Sequence, residues 1–226
     1  MHAPDTAGYV HPEGCVTLVD IYGSDARVVN AARVSFSKHI DETAPLSEKD
    51  IGLIKYLAQH DHDSPFFHAG AHFRLTMPIF VAREWFRHVV GFSRNEVSRR
   101  YVDEPVQCFI PEVIRARDAN VKQGSLAAPV ADASMCTSVM VLSMRASQQA
   151  YRVLLAHGVA PEVARMVLPV SMMTTFVETA SLKAYARLYA LRNSPDAQLE
   201  IRQYAKQIGK LLENKFPVSW AALTDA

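Results

Sequence analysis

Between Arg87 and Tyr101 the chain reads RHVVGFSRNEVSRRY, which gathers four arginines, a histidine, a glutamate and two serines. The planar fork of arginine matches phosphate and carboxylate oxygens bidentately, and hydroxyl, amide and backbone N–H groups complete such a cradle. One carboxylate, Glu96, cannot neutralise Arg94, Arg99 and Arg100, so the stretch reads as a holder of a phosphate-bearing ligand, with Asn95 and Ser98 as further donors. Just upstream, Glu84, Arg87 and His88 stand at i, i+3 and i+4 of a helical pattern and would share one face. Alone, that set is an ordinary exposed Glu–Arg pair with cations near a helix C-terminus. The basic loop that follows gives it a second meaning, as part of an anion site. Arg165 in PEVARMVLP and Arg192 before the NSP turn are each open to the same two readings, ligand contact or helix C-cap.

Other chemistries fit less well. His60, His62, His68 and His72 cluster in sequence, but H-x-H spacing in a predicted loop has no H-E-x-x-H partner or third-ligand signature. No G-x-G-x-x-G and no Walker loop is present, so a nucleotide or dinucleotide would have to be held without those cradles. Ser98 lacks a G-x-S-x-G elbow and a recognisable base, which argues against a nucleophilic hydrolase.

The elements that position these residues follow from periodicity. VTLVDIYG, rich in β-branched residues, predicts a strand, and SEKDIGLIKYLAQH predicts a helix capped by Ser47, with Asp50 completing a capping box. FHAGAHFRLTM alternates Phe67, Ala69, Ala71, Phe73 and Leu75, the period of a half-buried strand. Pro78 opens a predicted helix, PIFVAREWFRHVV, that Gly91 would close, followed by a loop and a short strand at VQCFIP. The remainder reads as helices: Ala131 to His157, a short PEVARMVL, Thr174 to Leu191, and a last one capped by Ser194 with Pro195 in its first turn.

With 226 residues and 49% hydrophobic composition, a chain of this size buries ~70% of its unfolded surface. The expectation is an α/β (α+β) fold: a loose N-terminal arm over 1–14, then one domain over 15–226 with a mixed sheet and a helix-rich second half. Charge is balanced, 24 basic against 23 acidic residues, so no global field draws it to nucleic acid or membrane. Cys15, Cys108 and Cys136 are odd in number and far apart, which favours a reducing, cytoplasmic setting; no signal peptide or spanning run is read.

PIFVAREWFRHVVGFSRNEVSRRY resembles the signature of the flavin-dependent thymidylate synthases: an Arg-His-Arg triplet, seven residues, then a serine, with Asn-Glu and Arg-Tyr close by. AARVSFSK, HDSPFFH, GVAPEVARMVLP and LRNSPDAQLEIRQYA resemble the family's other blocks in the same order. The resemblance implies a homotetramer with FAD bound between subunits. It also implies C5 methylation of uracil in a nucleoside monophosphate, with 5,10-methylenetetrahydrofolate giving the carbon, reduced FAD the hydride, and NADPH restoring the flavin. By match, Ser35, Ser64, Arg87, His88, Asn95, Glu96, Ser181, Lys183 and Arg187 fall at the flavin, while Glu84, Arg87, Glu96, Ser98, Arg99, Arg100 and Arg165 fall at the nucleotide. Arg192 corresponds to the catalytic arginine beside uracil N3. That role has a physical basis, because uracil C5 is a poor nucleophile until the ring carries negative charge, and a fixed guanidinium lowers a neighbour's pKa by roughly 1–3 units.

The sequence also departs from the pattern. Val89 stands in the triplet's third position, the interval to Asn95 is one residue longer, and Arg94 is the residue expected to return the missing cation to the flavin. Phe67 replaces a glutamate, Glu84 a glutamine and Arg99 a glycine; Ser181, Lys183 and Arg187 replace an Asn, an Arg and an Asn. Three functions are compatible with this set: a thymidylate synthase acting on dUMP, a sister methylase acting also or mainly on UMP for a modified nucleoside, and a non-catalytic nucleotide-binding relative.

Overall fold

Alternating apolar residues and well-capped helical segments produce a mixed α/β chain whose second half is mostly helical. The computed structural model describes residues 9–10, 16–102, 104–119 and 124–225. In order these form β1 (Tyr9–Val10), β2 (Val16–Tyr22), α1 (Asp25–Arg33), α2 (Glu48–Gln59), β3 (Gly70–Pro78), α3 (Ile79–Trp85), β4 (Phe92–Glu96), β5 (Cys108–Phe109), β6 (Arg115–Arg117) and β7 (Ser125–Pro129). There follow α4 (Ala133–Ala156), α5 (Pro161–Ala164), β8 (Met173–Ser181), α6 (Leu182–Arg192), α7 (Leu199–Lys215) and α8 (Pro217–Thr224). The main sheet has the order β2-β3-β8-β4. Of the segment expected as a loose arm, Tyr9–Val10 pair in parallel with Cys108–Phe109; the rest of it, and Cys15, lie outside the described residues.

The chain divides into two compact units, each assembled from segments distant in sequence. The first contains Thr76–Trp85 and Glu96–Thr175; the second contains Phe86–Asn95 and Phe176–Ala226 together with the earlier segment ending at Leu75. In the first, Cys108, Ile110, Val141 and Met144 form a buried cluster with Val106, and Gln148 Nε2 donates to the Val106 carbonyl at 2.8 Å. In the second, Ala69, Ala71, Phe73 and Leu75 are fully buried, as the alternation requires, whereas Phe67 lies in a 3-10 turn before the strand and is exposed. Ser47 and Asp50 form the expected capping box of α2. The Asp25 carboxylate accepts from Val218 and Ser219 N–H at 3.0 and 2.9 Å, which satisfies the start of α8 across nearly the whole sequence.

Five expectations need correction. Glu84, Arg87 and His88 do not share a helical face, because α3 ends at Trp85 and Phe86–Arg87 turn. The Phe86 ring packs edge-on to Phe176 at 4.8 Å, and Gly91, at φ +84°, swings the chain into β4 instead of capping a helix. A Cβ at Gly91 would come within 2.9 Å of the Ala184 Cβ. Residues 92–96, expected as loop, are therefore a strand. Thr174 to Ser181 is strand β8, and only Leu182–Arg192 is helical, because β-branched residues on a two-residue period fit a sheet interior. Ser194 does not cap α7: its Oγ accepts from Asp196 N–H and its carbonyl from Ala197 N–H, forming a local turn, and α7 starts at Leu199.

Candidate active site

The predicted flavin-facing residues and Arg192 fall mostly in the second unit, around β4, β8 and α6. Alternation along β4 turns Arg94 inward, where its Nε is ion-paired with Glu178 of β8, the two side chains being 13% and 0% exposed. Its Nη1 donates to the His88 carbonyl at 2.6 Å, and the guanidinium lies over the Phe92 and Phe86 rings, 4.5 and 5.3 Å from their centroids. Arg94 Nη2 is buried and has no hydrogen-bond partner among the described residues.

His88 stands half-buried in the turn between α3 and β4, and its Nε2 receives the Nε–H of Arg192 at 2.8 Å. Burial, then the charges of Arg192, Arg94 and Arg187, lower its pKa from 6.5 to about 4, so the ring is neutral at physiological pH. Arg187, one turn earlier on α6 than Arg192, is exposed and donates from Nη2 to the Val90 carbonyl at 3.2 Å. At the other end of α6, Ser181 caps the helix by accepting from Ala184 N–H, and Lys183 Nζ pairs with Asp63 at 2.6 Å. That pairing anchors the 3-10 turn opened by Ser64. Ser35, Arg87, Val89 and Asn95 are exposed, Val89 by 68%.

The first unit contains Glu84, Glu96, Ser98, Arg99, Arg100 and Arg165. Glu84 is half-buried on α3, and Glu96, ending β4, accepts from Thr174 Oγ1 at 2.6 Å. Ser98 to Tyr101 form a turn closed by Tyr101 N–H to the Ser98 carbonyl at 3.0 Å, and Arg99 donates to the Glu104 carbonyl. Two of the arginines expected at the nucleotide converge on one residue: Arg100 Nε lies 3.3 Å from a Glu162 carboxylate oxygen, and Arg165 Nε donates to the Glu162 carbonyl at 3.4 Å. Arg100 and Glu162 are about half exposed, so this is a weak solvent-screened pair that an incoming anion can displace.

Three acids that sequence reasoning passed over support these groups: Glu178, Glu162 and Asp63. The signal for Glu178 was present, since Thr174, Phe176, Glu178 and Ala180 fall on one phase of a β alternation, and an acid there must be paired. The histidines once weighed as ligands serve locally. His60 stacks on Tyr56 at 4.0 Å, and His72 Nδ1 lies 3.2 Å from Thr179 Oγ1.

The profile of a family described as thymidylate synthase complementing protein matches residues 17–218. A flavin-dependent thymidylate synthase of Thermus thermophilus is 39% identical over 94% of this chain and 76% of its own length. One from Thermosipho melanesiensis is 41% identical over 91% of this chain and 88% of its own. The chain belongs to the flavin-dependent thymidylate synthase family. Among solved structures, a UMP/dUMP methylase, PolB from Streptomyces cacaoi, bound with 5-Br dUMP, is similar to it with a TM-score of 0.81 and 31% identity, covering 93% of this chain and 94% of that one. The same protein bound with 5-Br UMP gives a TM-score of 0.80 at 30% identity. Family membership gives the mixed α/β fold, the enzyme class and the flavin a single source, and it agrees with the absence from the sequence of a dinucleotide-binding glycine fingerprint.

Proposed function

We propose that this chain methylates uracil C5 of dUMP reductively, as a homotetrameric, FAD-dependent thymidylate synthase using 5,10-methylenetetrahydrofolate and NADPH. The observation that carries this reading is that Arg192, which the resemblance sets beside uracil N3, has its guanidinium fixed against a neutral imidazole. Arg192 stabilises the N3 anion and so raises electron density at C5. Arg100 and Arg165 take the phosphate, releasing Glu162, and Glu84, Arg87, Glu96, Ser98 and Arg99 are the further residues assigned to orienting the nucleotide.

The donor set of the second unit suits FAD. Arg87 and Arg187 are exposed and offer cations to a pyrophosphate, with Lys183 held by Asp63; Ser35, Ser64 and Asn95 offer hydrogen bonds, and Val89 gives apolar surface. The unpartnered Arg94 Nη2 is a further donor beside His88. When bound, the flavin supplies the hydride for reducing the transferred one-carbon unit. No protein nucleophile is required, because orientation and electrostatics are the protein's share.

Assembly has support in α4, where Met135, Val139, Leu142 and Val153 recur on one stripe and are exposed. A homotetramer would bury that stripe, and sedimentation velocity reads its mass directly. A cytoplasmic setting accords with a reduced Cys108 and Cys136, and no described helix is long and apolar enough to cross a membrane.

A second reading, acceptance of UMP, has one specific motive: the similar methylase is named for both nucleotides and was solved with analogues of each. The purified protein is expected to be yellow and to convert dUMP to dTMP only with methylenetetrahydrofolate and NADPH. Comparing kcat/KM for dUMP and UMP assigns the substrate. A colourless protein that cannot be reconstituted with FAD would favour the non-catalytic alternative and overturn the reading.

A further inference from the structure

We infer that His88 is a positioning residue for Arg192, acting through the lone pair of its Nε2, and that Arg94 with buried Glu178 fixes His88 for that task. The inference rests on the reading of Arg192 as the group that stabilises the uracil N3 anion.

The chemistry of the contact is one-directional. An arginine Nε always carries its hydrogen and has no acceptor to offer, so the 2.8 Å bond requires His88 Nε2 to be unprotonated. The neutral ring then carries its proton on Nδ1. The surroundings enforce that state. Arg192 and Arg187 reach His88 from α6, and Arg94 reaches it from β4; their charges and the burial of the ring all oppose an imidazolium. Glu178, facing this group from β8, is taken up by Arg94.

The geometry also explains why the contact can orient Arg192. Asn193 follows as the C-cap of α6, so Arg192 is the last helical residue and its long side chain has many rotamers to lose. Anchoring Nε fixes the guanidinium plane and with it the directions of both Nη groups. His88 is itself held, since its carbonyl accepts from Arg94 Nη1 at 2.6 Å, while Arg94 is pinned by Glu178 and sandwiched against Phe86 and Phe92. A continuous series of contacts thus runs from a fully buried carboxylate on β8, through β4 and the turn at His88, to the end of α6.

The test uses the flavin-loaded enzyme and 5-bromo-dUMP, whose ultraviolet spectrum changes when N3 ionises. Titrating the bound ligand with pH reads N3 ionisation without turnover. In the parent, the bound ligand is expected to ionise at lower pH than free 5-bromo-dUMP. Arg192→Ala should raise that apparent pKa by about one unit or more, the lower end of what an adjacent guanidinium supplies. His88→Leu should raise it by a similar amount, and the double variant no further. His88→Gln, whose amide oxygen can still accept from Nε, should restore the parent value. If His88→Leu loses flavin or does not fold, His88→Gln and His88→Asn make the same comparison by reach: Gln parent-like and Asn shifted support the inference, and equal values overturn it. A shift in Arg192→Ala with none in His88→Leu, or shifts that add in the double variant, overturns the positioning role and leaves the reading of Arg192 intact. No shift in Arg192→Ala overturns both.

Discussion

Replacing Arg94 with methionine would deprive Glu178 of its guanidinium at a site where the carboxylate is 0% exposed. Removing one partner of a buried ion pair costs about 3–5 kcal/mol, because the remaining charge keeps its desolvation penalty and loses the opposite charge. The lost hydrogen bond to the His88 carbonyl acts in the same direction. In a chain of 226 residues each kcal/mol lowers Tm by ~2–4 °C, so a fall of roughly 6–20 °C is expected. Arg94→Met combined with Glu178→Leu removes both charges and keeps apolar bulk between Phe86 and Phe92, and should return to within about 2 kcal/mol of the parent. The assay is thermal unfolding followed by circular dichroism, at matched protein and FAD concentrations because ligand and assembly both move Tm. A loss below about 2 °C in Arg94→Met, or a double variant that loses at least the sum of the two single changes, would refute the argument that this pair is a buried, mutually compensating staple.

Arg192→Lys should keep nucleotide affinity and cut kcat, because a point-charge ammonium lacks the fork; steady-state kinetics showing an unchanged kcat would remove the N3 role. Arg100→Ala and Arg165→Ala should each weaken nucleotide binding by roughly 1.5–3 kcal/mol in calorimetric titrations of the flavin-loaded protein. Parent-like isotherms in both would move the phosphate elsewhere. The depressed pKa of His88 has a stability consequence with a definite sign. Below pH 6.5 the unfolded chain binds a proton that the folded ring refuses until about pH 4, so this contribution to stability falls across that window as pH drops. Allowing for the half exposure of the ring, the loss is about 1–2 kcal/mol at most. Urea unfolding of flavin-depleted parent and His88→Gln at pH 7 and pH 5 checks it: the parent should lose more, and equal losses would contradict the assignment.

The sequence alone determined whatever depends on short-range repetition and residue type. Ala69, Ala71, Phe73 and Leu75 alternate and are all buried, and Ser47 with Asp50 starts α2 as their spacing demands. Four arginines in one short stretch set the expectation of an anion site, and the fold gives two of them, Arg94 and Arg100, carboxylate partners of the chain's own. Tertiary structure decided the rest, because the competing local preferences are close in energy. TTFVETASLKAYARLYALR supports a strand in its first half and a helix throughout, and membership of the β2-β3-β8-β4 sheet divides it at Ser181. Phe86 and Phe92 find aromatic partners on β8 and α6, ending α3 at Trp85 and making a strand of what had read as loop. The meeting of Glu178, Arg94, His88 and Arg192 joins residues up to 104 positions apart, and no local pattern encodes such a contact. Only folding creates the low-dielectric surroundings that hold His88 neutral and give the buried carboxylate a required partner.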